Sequence, residues 1–323
     1  MEKQKVSDKT KSFRIDFIQE VISMDDDKKT FTAKLIPDPR RYEWKDIDGK
    51  RYLYDKFDKA IFPENVFADF AKQLTGKPMY LQRQEIGDVE KYIQKRIPMI
   101  RERLKSDEEP FVFKDKSEDF LESLATNSLG FVIMCVDLAG STKLSKTLVP
   151  QKYAKLISTT LYEMSEVVPK FHGHVLKYTG DGLIAYFPEP SFIIKNDLAL
   201  DCSLTIKKLV YSGINQILEE NGYPTINIRI GLDSGDACII AIGSPSTKRH
   251  KDIIGSVVSL AAKIQSLGNP GDILLGDITE RNLHTTWREG CEEIKLRDDW
   301  QYKGEDGKSY KVHRVSFGKS SDE

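Results

Sequence analysis

The chain has 323 residues, 39% of them hydrophobic and 31% charged, with a formal net charge of −1. That length can bury two cores, and the near-neutral balance excludes an electrostatically driven nucleic-acid or membrane-surface partner. The run Phe131 to Val136 is too short to span a bilayer, and Met1-Glu2-Lys3-Gln4-Lys5 opens on charges rather than on a signal-peptide core. Cys135, Cys202, Cys238 and Cys291 lack metal-ligand spacing, and Cys135 and Cys238 fall inside apolar strands and read as small core residues, so the expectation is a cytoplasmic chain.

In the N-terminal third, Phe13, Ile15 and Phe17 alternate with polar partners, as do Phe31, Ala33 and Leu35, which predicts two half-buried strands. Tyr42–Ile47 and Arg51–Tyr54 flank Asp48-Gly49, a hairpin signal. Phe67, Phe70, Ala71 and Leu74 recur at helical spacing up to Gly76. A second helical stretch carries Val89, Tyr92, Ile93 and Arg96, with Pro98 expected to break or kink it. The aromatic density reads as a small core rather than a ligand box. A short helix over 117–125 closes this part, so the expected domains are residues 1–125, with a role the sequence does not reveal, and residues 126–323.

From Leu129 the pattern changes to strands alternating with long helices. Phe131–Asp137 reads as a strand, and Pro150 starts a helix whose apolar face is Tyr153, Leu156, Ile157, Leu161, Met164 and Val168. A hairpin turns at Gly180-Asp181-Gly182, and a long helix runs from about Asp197 to Glu219. Two further strands, 226–231 and 237–242, are expected to meet at Asp233-Ser234-Gly235-Asp236. A helix after Gly255, a strand at 273–275, a short helix near Glu280 and a closing hairpin turning at Asp306-Gly307 complete the chain. This order predicts an α+β sandwich with a mainly antiparallel sheet and outer helices. It has neither the βαβ repeat of a dinucleotide fold nor a Walker lysine motif.

Asp137 and Asp181 each end an apolar run and enter a turn. Two carboxylates on adjacent strands, beside the small-residue turn Ala139-Gly140-Ser141-Thr142, suit a hard divalent cation carrying a triphosphate. Small residues there let backbone N–H groups approach phosphates closely.

Four segments in order, Val136-Asp137-Leu138-Ala139-Gly140-Ser141-Thr142, Lys177-Tyr178-Thr179-Gly180-Asp181-Gly182, Arg229-Ile230-Gly231-Leu232-Asp233-Ser234-Gly235 and Ile254 to Lys263, resemble the successive motifs of class III nucleotidyl cyclases over about residues 129–285. The resemblance implies a homodimer with two active sites across its interface. It implies two Mg²⁺ or Mn²⁺ ions held by Asp137, Asp181 and the carbonyl of Leu138, and a nucleoside triphosphate closed to a cyclic nucleotide. Lys177 and Asp252 match the base-reading positions, where a solvated strand lysine and a plain turn aspartate are the alternatives. Many members of the family carry an Asn and an Arg four residues apart as a transition-state pair; this chain has Ser259 and Lys263 there. The spacing keeps both on one helix face, but Lys263 is a point charge without a bidentate fork. A nucleotide-binding sensor without turnover is therefore a rival to an active enzyme.

Lys177 to Pro188, Ala261-Ala262-Lys263-Ile264-Gln265 and Trp300-Gln301-Tyr302 further resemble the bacterial pyrimidine cyclases of the Pycsar antiphage systems. That likeness implies cyclic UMP or cyclic CMP acting on a separate effector, without nucleic-acid or membrane partners. Lys177 with Asp252 also suits adenine, so an adenylate cyclase in bacterial signalling stays open.

Overall fold

The structure, a computed structural model, describes residues 14–25, 30–74, 85–106, 116–124, 129–188, 194–244, 246, 249–304 and 306–316. It divides into two compact units, residues 1–81 with 284–289 and residues 82–283 with 290–323. The expected boundary near 125 differs from this division by the segment 82–125, whose helices fall in the second unit.

In the first unit β1 (Phe17–Asp25) and β2 (Thr30–Pro37) pair antiparallel, and β3 (Tyr42–Ile47), β4 (Lys50–Asp55) and β5 (Ile61–Pro63) form a three-stranded sheet followed by α1 (Glu64–Leu74). Asp48 and Gly49 both have positive φ, 50° and 72°, the double left-handed turn that matches the twist of the flanking strands. Tyr42, Leu53 and Phe67 form the core, with Ile15, Phe17, Leu35 and Phe62 against it, so the aromatics are spent on packing. The buried Arg41 guanidinium is satisfied by Asp16, Asp55 and Asp58 at 2.8–3.0 Å. Phe13 and Gly76 lie outside the described residues.

The second unit opens with α2 (Val89–Lys105) and α3 (Lys116–Ser123). The break expected at Pro98 does not occur, and α2 runs on through it. That residue is exposed, while Ile93, Arg96, Ile97, Ile100 and Leu104 bury a continuous face on both sides of it, and Arg96 grips the buried Glu163 through two bonds of 2.7 and 2.8 Å.

Then come β6 (Leu129–Ala139), α4 (Ser141–Thr147), α5 (Pro150–Val167) running into a 3₁₀ turn, β7 (His174–Tyr178) and β8 (Gly182–Phe187). α6 (Lys195–Leu209), a π turn and α7 (Asn215–Glu220) form the second long helix. β9 (Asn227–Gly243), β10 (Arg249–Ile254), α8 (Ser256–Leu267), β11 (Ile273–Gly276) and α9 (Asp277–Arg281) follow. α10 (Thr285–Arg288) belongs to the first unit; β12 (Cys291–Glu293) and β13 (Val312–Val315) end the sheet.

The sheet order is β12-β13-β11-β9-β6-β8-β7, with β10 on the far half of β9, and among the described residues only the β9–β11 pairing is parallel. β6 is central, which is why Phe131 to Val136 is an unbroken apolar run rather than an alternating one. The α+β sandwich with a mainly antiparallel sheet is therefore as expected. Cys135 and Cys202 are buried, whereas Cys238 is exposed, and none of the four forms a disulfide. Among the described residues no helix is long and apolar enough to cross a membrane.

One expected turn is absent. Asp233 to Asp236 lie inside β9, continuing its register with β6. The polar side chains that suggested a turn are satisfied from a distance: Tyr310 Oη donates to Asp233 Oδ1 at 2.6 Å, and Ser234 Oγ bonds Asn196 and Thr279. Burial lifts the Asp233 carboxyl to about 7, and the Tyr310 bond offsets this only in part. The folded chain thus holds a proton that the unfolded chain releases near pH 4. This group's stabilisation is complete below that pH and is lost as pH rises through about 7. Asp233→Asn is expected to flatten the fall in melting temperature over this window, leaving the smaller slope due to Asp201, also raised to about 7. An unchanged slope, followed by circular dichroism, would show Asp233 ionised in the fold.

Candidate functional site

The strand register brings the expected residues together. Asp137, near the end of β6, stands opposite Gly182 of β8 on one side and Arg229 of β9 on the other. Asp181 directly precedes Gly182, so the two carboxylates flank one hairpin corner. A Cβ at Gly182 would lie 2.2 Å from the Val136 carbonyl oxygen and 3.2 Å from Asp137 Cα. Only glycine lets β8 approach Asp137 this closely.

Asp137 is half-buried, and its Oδ2 accepts from Arg229 Nη2 and, at 3.4 Å, from Gln265 Nε2 of α8. Arg229 Nε is buried and has no hydrogen-bond partner. Asp181 is half-buried, and its charge reaches Tyr153 on α5, whose hydroxyl is pushed up by burial and further by that carboxylate. Leu138 buries its side chain, while Ala139, Gly140, Ser141 and Thr142 carry the chain from β6 into α4. Gly140 O accepts from Lys143 and Leu144, and the first N–H groups of α4 have no intrahelical acceptor.

Lys177 and Asp252 meet. Lys177 Nζ donates to Asp252 Oδ2 at 2.6 Å, with side-chain exposures of 42% and 7%. Asp252 is a mid-strand residue of β10 opposite Ile240, not a turn aspartate, and its Oδ1 accepts from the Ile253 amide. A bulge in β7 between Val175 and Lys177 shifts the register that sets Lys177 opposite Ile184. The pair offers a donor that is half open to solvent beside a buried acceptor.

Ser259 and Lys263 do not join this cluster within one chain. α8 buries Val257, Ala261, Ile264 and Gln265, whereas Ser259 and Lys263 are exposed. Gln265 reaches Asp137, and Lys263, two residues earlier, points about 200° away around the helix.

Arg229 and Gln265 belong to the site although the sequence assigned neither a role. The available signal was a cation set among apolar residues in Ile226 to Gly231, but its partner lies 92 residues away in sequence.

The donors fit a hard divalent cation. Two carboxylates and a backbone carbonyl are all oxygen ligands, and among the described residues one guanidinium is the charge paired with Asp137.

The family model for the adenylate and guanylate cyclase catalytic domain matches residues 127–314. The chain is 28% identical over 187 residues to guanylate cyclase beta of Plasmodium falciparum, covering 55% of this chain and 6% of that one. It is 25% identical over 193 residues to a cytidylate cyclase of Escherichia coli, covering 56% and 41%. It thus spans less than half the length of these curated relatives. The crystal structure of the adenylyl cyclase CyaB from P. aeruginosa shares the fold at 23% identity with a TM-score of 0.52, over 60% of this chain and 97% of that one.

Proposed function

Because the chain belongs to the class III adenylate and guanylate cyclase catalytic-domain family, we propose that it is a nucleotidyl cyclase that closes a pyrimidine nucleoside triphosphate, UTP or CTP, to its 3′,5′-cyclic form and pyrophosphate. The observation that carries this reading is the corner where Asp137 of β6 pairs with Gly182 of β8 and Asp181 directly precedes that glycine in the β7–β8 turn. Two divalent cations, Mn²⁺ or Mg²⁺, held there by Asp137, Asp181 and the Leu138 carbonyl, would offset the triphosphate charge and acidify the ribose 3′-hydroxyl. Arg229, whose Nε is unpartnered, offers its guanidinium to the triphosphate, and Ala139 to Thr142 offer backbone N–H groups.

Lys263 faces away from its own Asp137. In this reading it therefore serves the site of a second copy, in a homodimer with two shared sites, supplying positive charge at the α-phosphate while Ser259 orients the ribose. Lys263→Ala is expected to lower kcat about a hundredfold with a small change in KM, the scale of one lost transition-state donor. Normal turnover in steady-state assays of that variant would remove the outward face of α8 from the reaction.

Lys177 and Asp252 read the base. Cytosine offers an amino group to Asp252 and a ring nitrogen to Lys177, whereas uracil offers an imide N–H and a carbonyl. A cytidylate cyclase among the relatives supports the pyrimidine choice. Adenine presents the same edge as cytosine, and this favours adenylate cyclase as the second reading. The product would act as a messenger on a separate effector, in antiphage defence if the base is a pyrimidine.

The test is incubation of the purified chain with Mn²⁺ and each of ATP, GTP, CTP and UTP, with products identified by mass spectrometry. Cyclic UMP or cyclic CMP as the main product upholds the proposal, and cyclic AMP replaces it with the second reading. Triphosphate binding without any product makes the domain a sensor.

A further inference from the structure

Away from the Asp137 corner, α9 and β13 bring together three side chains that the cyclase reading leaves unused. Asp277 and Glu280, one helical turn apart, and His313 each place a ligand atom within 4.8 Å of the others. The fold fixes this meeting. β13 lies antiparallel to β11 with His313 opposite Leu275, α9 follows β11 directly, and the Asp277 amide donates to the Lys311 carbonyl at 3.0 Å.

Glu280 and His313 are 7% and 8% exposed. His313 Nδ1 is enclosed and has no hydrogen-bond partner, an uncommon condition for a buried polar atom and an independent sign of a missing ligand. The flanking cations are engaged elsewhere or only in part: Lys311 Nζ pairs with Glu293 at 2.6 Å, and Arg281 Nη2 takes Asp277 Oδ2 at 3.0 Å. Burial holds the His313 ring below its ordinary value, outweighing the three neighbouring carboxylates Glu280, Asp277 and Glu293.

We propose that Asp277, Glu280 and His313 form a divalent transition-metal site, distinct from the catalytic carboxylates, that takes Zn²⁺. One imidazole with two carboxylates is a borderline donor set that suits Zn²⁺ better than Mg²⁺, and three protein ligands leave the fourth tetrahedral position to water. The ion ties α9 to β13 and so clasps that end of the sheet. This does not depend on the base, the dimer or turnover.

The test uses the full chain carrying Asp137→Asn and Asp181→Asn, which removes the catalytic carboxylates as competing ligands. After loading with Zn²⁺ or Co²⁺ and desalting, metal is counted by mass spectrometry, and the Co²⁺ form is examined for the visible absorption of a tetrahedral site. One equivalent per chain is expected, lost on adding His313→Gln and held about tenfold or more weakly on adding Glu280→Gln, a near-isosteric change. No stoichiometric metal in the parent, or equal retention by both variants, overturns the site. Circular dichroism reports folding, and if His313→Gln fails to fold, the Glu280→Gln affinity decides.

Discussion

Asp137→Ala and Asp181→Ala are each expected to lower turnover by about a thousandfold or more, because in the proposed reading each removes one of the two metal-holding carboxylates and the single one that remains cannot hold both ions. The fold should survive. Both residues are half-buried at strand ends, and neither contributes an apolar side chain to the core. Asp137→Ala also strips Arg229 of its carboxylate, so a modest stability loss is expected there and not in Asp181→Ala. Full activity in either variant would remove the metal assignment. A sharper form mixes Asp137→Ala chains with Lys263→Ala chains. With sites shared across a two-fold axis, half of the dimers are mixed and each carries one intact site, so about a quarter of the original activity should return. No recovery from chains that demonstrably exchange would show that each site is built within one chain.

The largest stability effect is expected at Gly231→Ala. A Cβ there would meet Gln265 N at 2.4 Å and the Ala261 carbonyl oxygen at 2.6 Å, so α8 rests on β9 backbone to backbone. Helix backbone cannot rotate aside as a side chain can, and α8 would have to lift from the sheet. The expected cost is about 3 kcal/mol, near the upper end for overpacking, read from urea denaturation. Lifting α8 also withdraws Gln265 from Asp137, so activity should fall with stability. The same strand and helix supply a control. At Gly235 the nearest atom to a built Cβ is Val257 Cβ at 3.4 Å, an ordinary contact, so Gly235→Ala should be close to neutral. Equal behaviour of the two variants would mean that the close approach at Gly231 is not what seats the helix.

What the sequence made legible was local. Asp48-Gly49 marks its hairpin because two successive positive-φ residues are a local demand, and Pro150 marks the start of α5 because its ring suits the first helical position. Asp137 and Asp181 stand out because each interrupts an apolar run. The misreadings share one cause, which is satisfaction from afar. Ser234 and Asp233 look like turn residues until Asn196, Thr279 and Tyr310 arrive from other elements. Asp252, for which a plain turn aspartate was the alternative, becomes a strand residue once the far half of β9 pairs with it. α4 buries no residue, so no apolar period announced it. The same limit hid Arg229 and the His313 trio, whose members meet only through sheet register.

β9 runs unbroken for 17 residues, with Arg229 beside Asp137 near one end and Ile240 opposite Asp252 toward the other. The eleven steps between them span about 36 Å of extended strand. In the proposed dimer the resemblance to class III cyclases implies that the base reader, like Lys263, serves the second copy's site, so the two ends of β9 serve different nucleotides. A single stiff rod then links the two nucleotides, and a shift at either end is felt at the other. Cooperativity between the sites is the result expected of such a dimer. Initial rates plotted against triphosphate concentration should depart from a simple hyperbola, and a substitution that softens the middle of β9 at an exposed position, such as Asp236→Gly, should restore one.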